Sequence, residues 1–469
     1  MQMTEDLIRT LVQEVLSQMG NSAAVAKPDP GGALGVYATA DAAVAAAEAA
    51  YRKFRGRPLA DREKAVAVIK RICVEQAEEL GKMELDETKI GRLDHKIAKL
   101  RDAIPSIPGV EYLRTDAVKA DGGLTLDDHA PFGVLGAITP VTHSLPTLAC
   151  NAISMLAAGN TVVFNAHPSG ANVAAEGVRR FNKAIRDAIG LDDLLTIIDP
   201  PTLESAEALF KHMGVKVLVV TGGPSVARAA LASRRRAIVA GPGNPPVVVD
   251  ATACLENAAS SIVYGAAFDN NLLCIGEKQV FAVSAIFDKL MDQVGRSGGF
   301  RLNAGQIEAL TNAAFSFDDK GRPHLKKDLI GQDPAVLGKH AGVSVPLNTQ
   351  VLYGETDANH PFVGIEQMMP FVPFIRTPDV DRAIELAKES EHGFGHTALL
   401  HSRDTTVMEK MGRIMDCTIF GINGPSTSAL SGQGVTSFSI AGPTGEGITT
   451  PLTFSRRRRT AVVGGLRFS

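Results

Sequence analysis

The stretch GVLGAITPVTHSLPTLACNAISMLAAGNTVVFNA, residues 133–166, changes period twice. Its first part, 133–140, is an apolar run closed by Pro140. LPTLACNAISMLAAG, 145–159, follows at helical spacing, and NTVVFNA, 160–166, is again a short apolar run. Strand, helix and strand at this length read as a βαβ crossover with parallel strands. The alternation continues outward. LLTIID (194–199), VKVLVVTG (215–222), RAIVAGP (236–242) and PPVVVD (245–250) are further strand candidates. Helical patterns at 171–190, 202–213 and 224–233 separate most of them. Such alternation predicts a parallel α/β sheet covered by helices on both faces, with ligands at the carboxyl ends of its strands. Before it, residues 36–110 are helical in pattern. A second alternating region spans about 254–430, with strand candidates at 278–283 and 397–402. TTPLTFSRRRRTAVVGG, 449–465, reads as an extended ribbon.

Composition narrows the class. With 45% hydrophobic and 21% charged residues over 469, the chain can bury a sizeable core. A net charge of −3 gives no global pull toward nucleic acid or membrane. No apolar run approaches ~18 residues, the length that reads as a membrane span, and the N-terminus lacks a secretory pattern. The five cysteines, Cys73, Cys150, Cys254, Cys274 and Cys417, are scattered and odd in number, without CxxC spacing. That predicts a reducing, intracellular setting rather than a disulfide framework. His392, His396 and His401 lie across a Gly turn and a strand, so no metal site is expected; His396 is a candidate lining residue of the active site.

Residues 4–20 stand apart. Leu7, Ile8, Leu11, Val12, Val15, Leu16 and Met19 recur at helical spacing behind Thr4 as cap, and Gly20 suits the stop. Residues 21–35 are small, Pro- and Gly-containing and aperiodic, a linker. An apolar stripe on a tether predicts docking, onto a partner or back onto its own domain.

FDNNLLCIGEKQVF, 268–281, is the strongest candidate for chemistry: Cys274 follows a polar, turn-prone DNN and precedes a strand. Taken alone, a free cysteine is as readily a small buried hydrophobe. Six segments in order change that reading: PFGVLGAITPVTHSLPT, MLAAGNTVVFNAHPSG, VLVVTGGPSVA, the Cys274 segment, EQMMPFVPFIR and RAIELAKESEHGFGHTALLHS. Over about 36–465 the chain resembles the aldehyde dehydrogenase superfamily. AGPGNPPVVVD, FDNNLLCIGEK and TGEGITTPLTF resemble its CoA-acylating propionaldehyde and acetaldehyde branch from bacterial microcompartments. Residues 1–35 resemble the encapsulation peptides of proteins packed into such shells.

The resemblance implies an aldehyde dehydrogenase-like α/β fold. A Rossmann-like cofactor domain would cover 36–245, with an oligomerisation hairpin near 112–130. A catalytic domain would cover 246–430, and a C-terminal return and ribbon 431–469. It implies NAD as cofactor, coenzyme A as co-substrate, a homodimer or homotetramer, and a place inside a microcompartment reached through residues 1–20, with neither nucleic acid nor membrane as partner. Cys274 would be the nucleophile that forms a thiohemiacetal. The family's oxyanion-holding asparagine in PxxN is His143 here, which would donate instead, unless the backbone N–H of Cys274 acts with a water. NAD would be held by Thr139, Pro140, Val141, Phe164, Asn165, Ala166, His167, Thr221, Gly222, Gly223, Pro224, Gly241 and Glu366. His167 stands at the family's lysine position, and Gly170 at its ribose-binding glutamate. The water-activating glutamate of hydrolytic members has no counterpart in Ala240–Asn244, which points to CoA as acyl acceptor. Glu277 or Glu366 could substitute as base. The alternatives are a hydrolytic aldehyde dehydrogenase and a non-catalytic shell-associated scaffold. The Arg456–Arg459 run predicts a solvated or subunit-contact role.

Overall fold

A computed structural model describes residues 33–430 and 434–464. The expected helix at 4–20 and most of the expected linker lie outside these residues. The chain divides into two compact units. One holds residues up to 88, 97–241 and 434 onward; the other holds 89–96 and 242–433.

The first unit is built on a six-stranded parallel sheet. Its order is Val36–Tyr37, Leu195–Ile198, Thr161–Ala166, Val134–Thr139, Val215–Thr221, Ala237–Ala240. The two strands of the opening motif are neighbours, joined through helix Ser144–Ala157, which is buried along its whole length. Both strands are buried at every position, as expected for strands covered on two faces. Helix Ala40–Phe54 packs Ala43, Val44 and Ala47 against Val163 and Leu218 on one side. On the other side helix Ala171–Ile189 ends at Gly190 in the left-handed conformation, φ 71°. The long helical pattern 61–80 is split at Gln76 into Leu59–Glu75 and Ala77–Thr88.

An antiparallel ribbon completes this unit. Asp116–Ala120 pairs with Gly123–Pro131, and Gly123–Pro131 with Ser455–Val463. The arginine run lies on the last strand. Arg457 Nη2 donates to Asp116 at 3.2 Å, Arg458 Nε to Asp128 at 2.9 Å, and Arg459 Nη2 to Asp127 at 2.7 Å. These arginines are exposed, so solvent and salt screen each pair and little stability comes from it.

The second unit carries a seven-stranded parallel sheet. Its order is Gly299–Arg301, Val351–Glu355, Phe371–Thr377, Gln279–Val283, Pro246–Val249, Thr397–His401, Ile419–Ile422. Helix Leu255–Ala267 buries Ala259, Ile262 and Val263 against Val247, Val280 and Phe374. The C-terminal end of this helix leads into the Cys274 segment.

Candidate active site

Helix Leu255–Ala267 stops in a run of left-handed residues: Asp269 (φ 51°), Asn270 (φ 54°) and Asn271 (φ 63°). For L-residues this conformation costs about 1–2 kcal/mol each, least for Asp and Asn. Side-chain and backbone bonds hold it. The Asp269 N–H donates to His95 Nδ1 (2.8 Å), and Asp269 Oδ1 accepts from the Arg92 N–H (2.8 Å). Asn270 Nδ2 donates to Gly331 O (2.9 Å) and Asp333 Oδ1 (2.8 Å), and Asn271 Nδ2 to Glu277 O (3.0 Å). The turn chemistry of DNN thus fixes the backbone that leads to Cys274.

Cys274 itself is half-buried. Beside it the backbone of Gly243 is confined. A Cβ there would collide with the Cys274 carbonyl oxygen and stand 3.1 Å from Cγ and Nδ1 of His396. The half-buried Glu366 carboxylate faces the Gly243 backbone, which favours its charged form. His396 is buried; its Nδ1 shares a 2.8 Å hydrogen bond with Thr397 Oγ1, and its N–H donates to Glu391 Oε1 (2.9 Å). Its Nε2 is buried and has no partner among the described residues. Lys278, fully buried, donates from Nζ to the carbonyl and to Oδ1 of Asn271, each at 2.7 Å. Glu277, also fully buried, accepts from the Ser426 N–H (2.8 Å) and hydroxyl (2.7 Å).

Burial sets the protonation pattern of this cluster. It pushes the Cys274 thiol up to about 12; the negative charge of Glu366 adds to the rise and the cation of Lys278 opposes it. Burial raises Glu366 and lowers Lys278, each partly restored by the other. Glu277 is pushed up to about 7 by burial against the Ser426 donors. His396 is driven down to about 4, by burial and then by the Lys278 charge, so it is neutral at pH 7. The other cysteines offer no comparable setting. Burial raises Cys73, Cys150 and Cys417, and Cys254 sits at the start of a helix.

In the first unit the sheet order reverses direction at Val134–Thr139. The chain leaves this strand toward Thr161–Ala166 on one side and later returns to Val215–Thr221 on the other. Ligands bind at the carboxyl ends of strands at such a switch point. Thr139 and Thr221 end its two central strands, with Pro140 and Val141 following. Thr139 Oγ1 is buried without a partner among the described residues, while Thr221 Oγ1 is held by Ser439 Oγ at 2.7 Å. Phe164, Asn165 and Ala166 end the adjacent strand; Asn165 Oδ1 accepts from Ser205 Oγ (3.0 Å) and His167 Nδ1 from the Ser169 N–H (3.1 Å). Gly223 faces open space, and a Cβ at Gly222 would meet only Val226, at 3.9 Å; the two lead into helix Pro224–Ala232, which has no side-chain cap. A helix N-terminus of this kind accepts phosphate, so this set of residues fits a dinucleotide. At Gly170 a Cβ would stand 2.9 Å from Ser144 Cβ, so this backbone has no room for the family's glutamate. Gly241 is similarly hemmed by Pro443, 2.9 Å from its Cβ position. His143 is buried at the N-cap of helix Ser144–Ala157 and makes no capping bond with its side chain; its ring lies 5.9 Å from that of Phe438.

Of the expected residues, the second unit brings Cys274 and Glu366 together around Gly243; the first gathers Thr139–Val141, His143, Phe164–His167, Thr221–Pro224 and Gly241. Sequence reasoning missed Lys278. Its one signal was a charged side chain opening the apolar run KQVFAV.

The chain belongs to the aldehyde dehydrogenase family, whose model matches residues 32–297. It is 40% identical to the acetylating acetaldehyde dehydrogenase EutE of Salmonella typhimurium, over 99% of this chain and 100% of that one. Its fold matches the Rhodopseudomonas palustris propionaldehyde dehydrogenase solved with bound CoA and an acylated cysteine, with a TM-score of 0.88 and 40% identity, covering 92% of this chain and 98% of that one. A propionaldehyde dehydrogenase from the Clostridium phytofermentans fucose utilisation bacterial microcompartment matches with a TM-score of 0.89 at 38% identity, covering 93% and 100%.

Proposed function

We propose that this chain is an acylating aldehyde dehydrogenase that oxidises a short-chain aldehyde, propionaldehyde first among them, and transfers the acyl group to coenzyme A. The observation that carries this is Gly243. Wedged between the Cys274 carbonyl and His396, it leaves no space beside the cysteine for a side chain at that position, let alone a carboxylate that would activate water.

In this reading the Cys274 sulfur attacks the aldehyde carbon and forms a thiohemiacetal. NAD, when bound, supplies the hydride acceptor. Thr139–Val141, Phe164–His167, Thr221–Pro224, Gly241 and Glu366 hold the dinucleotide, and His143 is the hydrogen-bond donor at the family's asparagine position. Loss of hydride leaves an acyl thioester on Cys274. The CoA sulfur then bonds to the acyl carbon, the bond to Cys274 breaks, and the cysteine regains its electron pair. CoA reacts as its thiolate, the proton having passed to water, and neutral His396, with Nε2 unpartnered, is suited to accept a hydrogen bond rather than to hold that proton.

The test is product analysis. NADH formation beyond a first-turnover burst should require CoA, with acyl-CoA appearing by mass spectrometry, and Cys274→Ala should lower the rate at least ~10³-fold without changing thermal unfolding. Sustained turnover to free acid without CoA would overturn the reading, and an inert but well-folded wild-type protein would favour the scaffold alternative. Steady-state comparison of propionaldehyde, acetaldehyde and lactaldehyde ranks the substrates.

Residues 1–20 supply a second, separable reading, supported by their apolar stripe and the microcompartment source of one relative. They dock in a groove of a shell or cargo protein and place the enzyme inside such a compartment. Deleting them should leave kcat unchanged and abolish co-sedimentation of a fluorescent fusion with shells; Leu11→Glu with Val15→Glu should do the same. Loss of activity on deletion would make the helix part of the enzyme core.

A further inference from the structure

Lys278 is fully buried, and the hydrogen bonds of its ammonium run to neutral oxygens. Two of its three N–H groups are used by Asn271, through the carbonyl and Oδ1, both neutral oxygens. A buried cation whose hydrogen-bond partners are all neutral is costly unless a negative charge nearby offsets it. The lysine is fixed from both ends. Asn271 is locked in a left-handed conformation and by its bond to Glu277 O, and the Lys278 carbonyl accepts from Gln367 Nε2 at 3.1 Å. Its flexible stem therefore has one destination, the inside of the turn that carries Cys274. The titratable groups that act on it are Cys274, Glu277, Glu366 and His396. Glu277 accepts from Ser426, Glu366 is the carboxylate whose charge acts most on Lys278, and His396 is neutral. Cys274 is the one that must become negative for the proposed chemistry to start.

We propose that Lys278 is the buried counter-cation of the Cys274 thiolate. It is a positioning residue: it keeps all three protons, takes none from the sulfur and touches no substrate. When the half-exposed Cys274 gives its proton to water, the electron pair stays on sulfur, and the fixed positive charge of Lys278 offsets the negative one. Asn271 orients that charge and is uncharged itself, so it does not cancel the field at the sulfur. The inference rests on Cys274 being the nucleophile, and it adds how a thiol raised by burial is made reactive.

The test is alkylation of Cys274 by iodoacetamide in the full-length protein, followed by peptide mass spectrometry across pH, with Cys254 in the same molecule as reference. The thiolate displaces iodide, so the rate follows the ionised fraction. Lys278→Met and Lys278→Gln should move the midpoint of the Cys274 profile to more alkaline pH by about one pH unit or more, a tenfold loss of rate at fixed pH, and leave Cys254 unmoved. Lys278→Arg, which keeps the charge, should restore most of the rate. Should the lysine variants fail to fold, the comparison is made in a Glu366→Gln background, where loss of the lysine leaves no opposing carboxylate behind: Lys278→Gln with Glu366→Gln should titrate at more alkaline pH than Glu366→Gln alone. A reactive Cys274 whose midpoint is the same with and without Lys278, in either background, overturns the role of Lys278 and leaves the nucleophile in place. A Cys274 that is not alkylated at any pH overturns both.

Discussion

Ser426 holds both carboxylate oxygens of Glu277, through its backbone N–H at 2.8 Å and its hydroxyl at 2.7 Å. This pair ties the segment after strand Ile419–Ile422 to the turn that carries Cys274. Charge-assisted bonds of this kind are among the stronger ones, yet burial still lifts Glu277 to about 7. The folded protein then binds a proton at Glu277 that the unfolded chain has released once pH exceeds the ordinary carboxylate value. Stability from this group is present at acid pH and is lost as pH rises through about 7. Glu277→Gln should therefore gain in Tm relative to wild type between pH 5 and pH 8. Thermal melts at several pH values check this; a constant difference would refute it.

Gly265 should resist a substitution that ordinarily helps a helix. Gly to Ala inside a helix stabilises by about 1 kcal/mol. Here a Cβ would collide with the Glu277 carboxylate, which Ser426 holds in place. Gly265→Ala should destabilise by roughly 1–3 kcal/mol, as overpacking does, read as a lower urea midpoint.

Gly243→Ala should act on catalysis more than on folding. The new methyl collides with the Cys274 carbonyl, which must shift, and crowds the His396 ring. Displacement of a reacting group by about 1 Å can cost ~10²-fold in rate. Acyl transfer to CoA, followed by stopped-flow after the NADH burst, should slow at least as much as the burst itself.

His143 spends none of its side chain on capping helix Ser144–Ala157. If it is the oxyanion donor, His143→Ala should lower kcat about 10²–10³-fold, and His143→Asn, the residue of the wider family, should recover much of that. Equal rates for the alanine and asparagine variants would assign His143 to packing.

Much of this architecture was legible from period alone. The alternation from residue 133 onward located every strand of the first sheet except Val36–Tyr37, a two-residue edge strand too short to carry a pattern. The site was legible in its residues but not in its assembly. Cys274 and DNN stand together in the chain, whereas Arg92, His95, Gly331 and Asp333, which fix the turn, reach it from distant positions. Nothing in local sequence signals that residues 89–96 belong with the unit that contains residue 269. In the sequence Gly243 stood only as one residue of a segment without a carboxylate. Its meaning comes from the carbonyl and the imidazole packed against it.

The ribbon sets a timetable for synthesis. Asp127 and Arg459 face each other across paired strands but lie 332 residues apart in the chain. At ~5–20 residues per second, strand Gly123–Pro131 waits on the order of half a minute for Ser455–Val463 to leave the ribosome. Meanwhile residues 242–433, the bulk of the second unit, emerge between the two halves of the first. One edge of the nascent hairpin stays unpaired throughout, a template for misplaced strands. The aspartates at 127 and 128, awaiting their arginines, keep that edge charged until the C-terminus arrives to close it.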